Sequence, residues 1–167
     1  MKITLKILPA VVALFLCVNQ SVCHALIEGV DNHGTLKPSQ LVLGYISVTS
    51  KPADILNVYG HPTRVDNSNG VRWFYGKDFF IQFIGRDSTT VGEVTTTGNN
   101  GITTADGVGV GMSESILQRV YGTPTYQKRV GGEQQYWYYG DKRYNWVYLY
   151  FGCTRGIIRK ISLVWLD

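Results

Sequence analysis

Apolar residues recur along this chain with two spacings, that of a helix and that of a strand, and the two follow each other along the sequence. Between residues 50 and 60 they follow the spacing of a helix and form one stripe, made of Ile55, Leu56, Val58 and Tyr59. Gly60 can adopt the left-handed conformation that ends a helix, and Pro62 cannot continue one. The pattern therefore predicts a short helix over 50–60. A helix of this length is unstable by itself, so we expect it to lie on a sheet.

The same signals return after residue 112, so the chain contains an internal repeat. A second apolar stripe with helical spacing is formed by Ile116, Leu117, Val120 and Tyr121. The motif Tyr59-Gly60-x-Pro62 recurs as Tyr121-Gly122-x-Pro124, at an offset of 62 residues. Further along, Trp73-Phe74-Tyr75-Gly76 corresponds to Trp137-Tyr138-Tyr139-Gly140. Self-similarity with such a period indicates two copies of one supersecondary unit.

Runs with strand-like alternation follow each predicted helix. They lie at 71–75, 79–84 and 91–97 in the first copy, and at 134–139, 144–151 and 156–166 in the second. The predicted fold class is α+β, with two tandem units that each consist of a short helix (or helical pair) followed by a three-stranded antiparallel meander sheet. The predicted organisation is an N-terminal arm at 26–40, a first repeat at 41–97, a linker at 98–108 and a second repeat at 109–167.

The first 25 residues have the three-part pattern of a secretory signal peptide. Lys2 and Lys6 precede an apolar run over 7–18 that is too short to span a bilayer, and the small Ala25 suits the cleavage position. No cysteine of this segment follows a small residue, which favours soluble export over a lipid anchor. We therefore expect a bacterial protein that is periplasmic or secreted, with no transmembrane segment after cleavage at residue 25.

Composition narrows the classes of function. The chain has 167 residues and a formal net charge of +4, which falls to +2 when Lys2 and Lys6 leave with the signal peptide. Nucleic-acid binding needs clustered Lys and Arg, so we expect no nucleic-acid partner. Two of the three cysteines leave as well, and Cys153 alone cannot form an internal disulfide. His, Cys and carboxylate spacings match no ligand pattern, so no metal or cofactor is expected.

Two motifs with candidate chemistry favour a structural interpretation. Gly107-x-Gly109-x-Gly111 precedes a predicted helix, as a phosphate-binding loop would, but Met112 lies where the dinucleotide fingerprint needs glycine. Cys153 lies at the end of a predicted strand, and no cysteine-protease signature surrounds it. A Cys153-dependent hydrolase is therefore a remote alternative, and we expect a protein that is not an enzyme and has no catalytic residues.

The order of features in each copy resembles the tandem units of the β-lactamase-inhibitor-protein-like fold, which the BamE-like (SmpA/OmlA) domain shares. The segments that carry the resemblance are 106–113 with Tyr121-Gly122-Thr123-Pro124, and 44–50 with Tyr59-Gly60-His61-Pro62. The resemblance covers about residues 41–167 and implies an exported, non-enzymatic binding module. This chain departs from the family because it lacks a lipid-attachment motif and the paired cysteines of the secreted inhibitors.

Aromatic residues form 13% of the chain and are concentrated in the predicted strands. Alternation over 144–151 places Tyr and Trp on one face and aliphatic residues mainly on the other. The aromatic rows either pack as core or form a binding surface, since Tyr and Trp are large, stiff and able to hydrogen bond. The candidate binding residues are Trp73, Tyr75, Tyr136, Tyr138, Tyr144, Trp146, Tyr148 and Tyr150.

The sequence thus predicts an exported, non-enzymatic module that binds a protein partner through an aromatic-rich sheet surface. The partner is expected in the cell envelope or outside the cell. The alternative hypothesis is an envelope glycan or peptidoglycan ligand that stacks on the same aromatic rings.

Overall fold

Eight strands form a single antiparallel sheet in the computed structural model, which describes residues 36–85 and 87–166. In chain order the elements are α1 (Pro52–Tyr59), β1 (Arg64–Asp66), β2 (Val71–Phe74), β3 (Phe79–Ile84), β4 (Thr90–Thr96), α2 (Ser115–Tyr121), β5 (Tyr126–Val130), β6 (Glu133–Tyr139), β7 (Val147–Thr154) and β8 (Ile157–Trp165). The predicted signal peptide, and the predicted arm as far as residue 35, lie outside the described residues.

The strands are ordered β1-β2-β3-β4-β8-β7-β6-β5, so the two halves of the chain meet where β4 pairs with β8. At this junction Val94 is opposite Leu163, and Thr95 is opposite Ser162. The buried hydroxyls of Thr95 and Ser162 form a hydrogen bond of 2.6 Å. The backbone ladder and this side-chain bond together join the halves into one sheet.

The predicted fold class is wrong. The chain forms mostly one continuous sheet with two short helices, not two α+β units with three strands each. Each helix is followed by four strands, because β1 and β5 also pair at the two edges. Neither edge strand has an apolar alternation: β1 is Arg-Val-Asp, and all five residues of β5 are exposed. Strands β4 and β8 pair with each other, and this pairing provides partners for the backbone N–H and C=O groups along the edges of both strands. It merges the two halves into one sheet.

The core lies on one face of this sheet. A row of directly opposite side chains crosses the sheet from β2 to β6 and contains Trp73, Ile81, Val94, Leu163, Leu149 and Tyr138. Both helices pack on this face. The Tyr59 ring at the end of α1 lies 5.2 Å from Phe79, and the Tyr121 ring at the end of α2 lies 5.5 Å from Phe151. We call this side the covered face.

Two irregular segments complete the covered face, one at 36–50 and one at 97–114. Leu36 is fully buried, and its N–H donates to the Tyr139 carbonyl at 2.7 Å, which attaches the start of the described chain to β6. Thr104 in the second segment shares a buried hydrogen bond of 2.6 Å with the Tyr121 hydroxyl. The Gly44 N–H donates to the Thr103 carbonyl, so the two segments also contact each other. Within the described residues, no helix has the length and apolar character needed to cross a bilayer.

Burial keeps the core tyrosines protonated. It raises the pKa of the Tyr59 hydroxyl to about 12, with smaller contributions from Tyr45 and Tyr75. It also raises the pKa values of Tyr121 and Tyr138 well above the ordinary 10.0. These groups ionise at lower pH in the unfolded chain than in the folded chain. Their contribution to stability is therefore complete below pH 10 and is lost as the pH rises further.

Replacing the buried Leu163 with alanine should lower the free energy of unfolding by about 3 kcal/mol, because a cavity opens beside the β4–β8 junction. Urea unfolding followed by circular dichroism and by tryptophan fluorescence measures this loss. Both probes should give one coincident transition, since the sheet is continuous. Val65→Ala on the exposed edge is the control and should change stability by less than about 0.5 kcal/mol. Two separate transitions would contradict a shared core.

Thermal unfolding as a function of pH tests the buried tyrosines. The melting temperature should be nearly constant from about pH 7 to 9 and should fall above about pH 10, where the unfolded chain loses phenolic protons that the folded chain retains. Tyr59→Phe removes one titrating group and should make this fall less steep. A decline that starts below about pH 8 would point to other groups and contradict the interpretation.

Candidate functional site

The second face of the sheet carries a row of side chains that spans all eight strands and is mostly aromatic. Because side chains alternate along a strand, residues next to the core positions point to this face. One residue from each strand lies directly opposite the next, in the order Tyr126, Trp137, Tyr150, Ser162, Thr95, Phe80, Phe74 and Arg64. Both helices pack on the other side, so we call this side the uncovered face.

A second row runs beside the first on the uncovered face. It contains Tyr139, Tyr148, Val164, Glu93, Gln82, Arg72 and Asp66, again one from each strand from β6 to β1. The Arg72 guanidinium donates to the Gln82 amide oxygen at 2.6 Å, so this pair is connected across β2 and β3. The two rows together make a broad surface of aromatic and polar side chains.

The aromatic rings of this face form two groups. The larger aromatic cluster consists of Tyr126, Trp137, Tyr139, Tyr148 and Tyr150 on β5, β6 and β7. Within it the ring centroids of Trp137 and Tyr150 are 5.2 Å apart, and those of Tyr139 and Tyr148 are 5.1 Å apart. The smaller aromatic cluster is Phe74 with Phe80, at 5.8 Å. The small side chains of Thr95 and Ser162 lie between the two clusters in the first row.

Four cations lie over these rings. The Arg64 guanidinium is 3.6 Å from the Phe74 ring centroid, and Arg72 is 4.8 Å from that of Phe80. On the larger cluster, the Lys128 ammonium is 5.3 Å from the Trp137 ring and Lys160 is 5.6 Å from Tyr150. Each contact of this kind contributes about 0.5–1 kcal/mol at an exposed site and restricts where a long side chain lies. The face therefore combines aromatic rings with positioned positive charges.

Glu133 is held beside Tyr150 of the larger aromatic cluster by two donors. The Tyr150 hydroxyl donates to its carboxylate at 2.5 Å, and the Gln135 amide donates to the same oxygen at 2.7 Å. Gly152 leaves the space for this bond, since a Cβ there would lie 3.0 Å from both the Tyr150 hydroxyl and the Glu133 carboxylate. Burial, and then the bond to Glu133, raise the pKa of Tyr150, so this hydroxyl remains a donor.

The predicted binding residues are divided between the two faces. Tyr148 and Tyr150 lie on the uncovered face. Trp146 lies in the turn before β7 and is 41% exposed, and Tyr144 in the same turn packs against the core. Strand β7 starts at Val147, so the predicted alternation over 144–151 applies only from there onward.

Four predicted binding residues lie on the covered face, namely Trp73, Tyr75, Tyr136 and Tyr138. Trp73 packs on Phe83 with centroids 4.8 Å apart, and Tyr138 is only 1% exposed. Their rings stabilise the core and do not reach the uncovered surface. In β6 the residues that face outward are Trp137 and Tyr139, while the predicted pair, Tyr136 and Tyr138, faces the core. The prediction also omitted Tyr126, Phe74 and Phe80, although strict alternation with Trp73 would have indicated Phe74.

Cys153 lies in an environment that keeps its thiol protonated. The side chain is 1% exposed, and burial raises its pKa from 9.0 to about 12, with smaller contributions from Glu114 and Glu133. A nucleophilic cysteine needs the reverse, a partly exposed thiol with a lowered pKa.

The glycine-rich segment before α2 uses its N–H groups within the protein. Gly107 donates to the Thr104 carbonyl at 3.0 Å, and Gly111 donates to the Ile158 carbonyl at 2.9 Å. Val108 donates to the Thr104 hydroxyl at 3.1 Å. These bonds anchor the segment to the core and to β8, which gives it a structural role in place of an anion-binding one.

Metal-ligand clusters add no second site within residues 36–85 and 87–166. No group of three or more His, Cys, Asp and Glu residues lies together there. Two loop-lined pockets, of about 180 and 270 Å³, share Gly101, Ile102 and Thr103, and no charged side chain lines either of them. The uncovered face is therefore the strongest candidate site.

Comparison with family models finds no match, and comparison with curated proteins finds none either. Among solved structures, the chain is similar to a DUF4309 family protein, YjgB, from Bacillus subtilis subsp. subtilis str. 168. The two share 18% identity over 70% of this chain and 79% of that chain, with a TM-score of 0.46. This similarity is too weak to indicate a shared fold or function.

Alkylation of Cys153 tests its environment. In native buffer at about pH 8, iodoacetamide should leave Cys153 unmodified, because the buried thiol carries almost no thiolate. In concentrated urea the same residue should react fully. Mass spectrometry of the peptide that contains Cys153 separates it from the two cysteines of the predicted leader. Rapid alkylation of the folded protein would contradict both the burial and the raised pKa.

Proposed function

We propose that this chain is an exported, non-enzymatic binding module that holds a protein partner on the uncovered face. The observation that supports the proposal is the row from Tyr126 to Arg64, which has an aromatic or cationic side chain on six of the eight strands and the small, buried Thr95 and Ser162 on the two central ones. Export follows from the predicted signal peptide at 1–25, and it places the partner in the cell envelope or outside the cell.

The residue types of the uncovered face support protein recognition. Tyr, Trp and Arg are the side chains most enriched where protein interfaces concentrate their binding energy. In the larger aromatic cluster each ring already packs on a neighbour, as Trp137 does on Tyr126 and Tyr150. Such rings lose little conformational freedom when a partner binds, so more of the contact energy appears as affinity.

The size of the face also favours a protein partner. Eight strands at the usual spacing span about 34 Å, and strands of this length extend about 20 Å. The resulting area of roughly 700 Å² approaches the approximately 800 Å² that each partner buries in a standard protein–protein interface. A glycan that stacks on two or three rings would use only the larger aromatic cluster and leave Phe74, Phe80 and Arg64 without a role.

The charges of the face indicate where the partner is polar. Arg64 and Lys128 lie on the two outermost strands, while Thr95 and Ser162, at the centre of the first row, are buried and hydrogen bond with each other. A protein interface commonly has polar groups at its rim, and charges at the rim act mainly on association rate and specificity. The aromatic clusters between the rim and the centre would carry most of the affinity.

Alanine substitutions at Trp137 and Tyr148 test this proposal. Each variant should lose a partner that the wild-type protein captures from the envelope or culture fluid of its own cells, identified by mass spectrometry. Purified partner should then bind each variant at least about tenfold more weakly, as expected for an aromatic residue that carries much of the binding energy of an interface. Tyr45→Ala is the matched control, because Tyr45 is 87% exposed but lies in a loop turn beside the covered face.

Three outcomes would contradict the proposal. The face variants could keep the partner, the Tyr45→Ala control could lose it too, or the captured ligand could be a glycan. Circular dichroism of each variant shows whether a lost interaction reflects unfolding. Titration of the protein with envelope glycans, followed by tryptophan fluorescence, separates the glycan hypothesis, since Trp137 lies in the larger aromatic cluster and reports stacking directly.

A further inference from the structure

Among residues 36–85 and 87–166, strand β5 is an edge of the sheet with free hydrogen-bonding groups. Within this part of the chain it pairs with β6 on one side only and stands last in the strand order. Val130 and Glu133 are opposite each other across a two-residue turn at Gly131 and Gly132, both of which have positive φ. Such a turn is closed by a hydrogen-bonded pair, so the N–H and C=O groups of alternate residues in β5 point outward. These outward groups belong to Gln127 and Arg129.

The two edges of the sheet differ in length and in charge. Strand β1 has three residues, and its Arg64 and Asp66 side chains form an ion pair of 3.7 Å, which balances their charges. Strand β5 has five exposed residues, including the adjacent cations Lys128 and Arg129 and no acidic residue. Strand β5 is therefore the longer edge and carries a net positive charge.

The positive charge of β5 determines which kinds of strand can pair with this edge. Full-length antiparallel pairing of β5 with a second copy places Lys128 opposite Lys128, and like charges in that position are destabilising. Charged residues on an edge strand generally prevent unwanted pairing in this way. Acidic residues in the added strand would instead be attracted to Lys128, which stabilises the pairing. The edge thus disfavours self-association and favours an acidic partner.

Adjacent positions in a strand point to opposite faces, which specifies the partner further. The Lys128 ammonium lies 5.3 Å from the Trp137 ring, on the uncovered face, so Arg129 lies on the opposite side of the strand. A partner strand that neutralises both cations therefore needs two consecutive acidic residues. Tyr126 and Val130 are about half exposed at the ends of β5, so apolar residues should flank the acidic pair.

We propose that β5 accepts an extended protein segment as a ninth strand, and that this segment carries two consecutive acidic residues between apolar ones. Backbone hydrogen bonds to Gln127 and Arg129 would supply the pairing, and the charges on Lys128 and Arg129 would supply the selectivity. The pairing uses the outward backbone groups of Gln127 and Arg129, which the proposed function does not involve, and the two surfaces share only side chains of β5 such as Lys128.

Peptide titration of the isotopically labelled protein, followed by amide NMR shifts, tests the edge. The probe is the capped hexapeptide Thr-Val-Glu-Glu-Val-Thr, with Gln-Gln and Lys-Lys versions as controls. The acidic peptide should bind saturably and shift the amides of Gln127 and Arg129. The Gln-Gln peptide should bind at least about fivefold more weakly, since two cross-strand charge pairs are lost. The Lys-Lys peptide should not bind.

Two substitutions separate backbone pairing from charge. Gln127→Pro removes one outward N–H but no ladder bond, as an edge strand tolerates, and should weaken binding at least about threefold relative to Gln127→Ala. Lys128→Glu should reduce binding of the acidic peptide and increase that of the Lys-Lys peptide. If Gln127→Pro disturbs the fold, the charge reversal still decides the question.

Three results would overturn the inference. These are equal binding of the acidic and Lys-Lys peptides, shifts confined to residues outside β5 and its neighbour β6, or dimerisation of the free protein through β5. A Trp137→Ala variant that loses its protein partner but keeps the acidic peptide would show that the edge and the uncovered face act separately.

Discussion

The hydrogen-bonded pairing of β4 with β8 is the constraint on which the rest of the structure depends. Without it, each half would be a four-stranded sheet with a short helix, and each half would expose a row of unpaired backbone groups at β4 or β8. With it, Val94 and Leu163 lie side by side in one core, and Thr95 and Ser162 share a buried hydrogen bond. Both the continuous core and the surface that spans eight strands follow from this one junction.

All of the described helices pack on the same face of the sheet, and this explains the position of the candidate site. Two helices of eight and seven residues, with the segments at 36–50 and 97–114, cover only one side. A two-layer arrangement leaves the second face of the sheet in contact with solvent. On that face the structure places Trp137, Tyr148 and Tyr150 beside basic residues, where a polar surface would be the ordinary expectation. This departure from the usual alternation is what points to binding.

Part of this structure was accessible from the sequence. The sequence predicts the helices near 52–59 and 115–121 and the central strands, because each has an apolar spacing that fits only one type of element. The edge strands β1 and β5 were missed because their exposed residues carry no such pattern. The outward side of β6 could not be chosen from the sequence, since its last four residues, from Tyr136 to Tyr139, are all aromatic. Only the register with β7, which places Tyr138 opposite Leu149 and Trp137 opposite Tyr150, decides between the two faces.

The small side chains of Thr95 and Ser162 separate the two aromatic clusters, and this separation affects how the surface can change during evolution. Phe80 and Tyr150 are three strand spacings apart, about 14 Å, a distance beyond which mutational effects are usually additive. Substitutions in β2 and β3 can therefore alter binding at one end of the uncovered face, while the rings of β5, β6 and β7 keep their contribution to binding at the other end. Each half of the chain contributes an independently variable part of one surface, so specificity can diverge at one end without loss of affinity at the other.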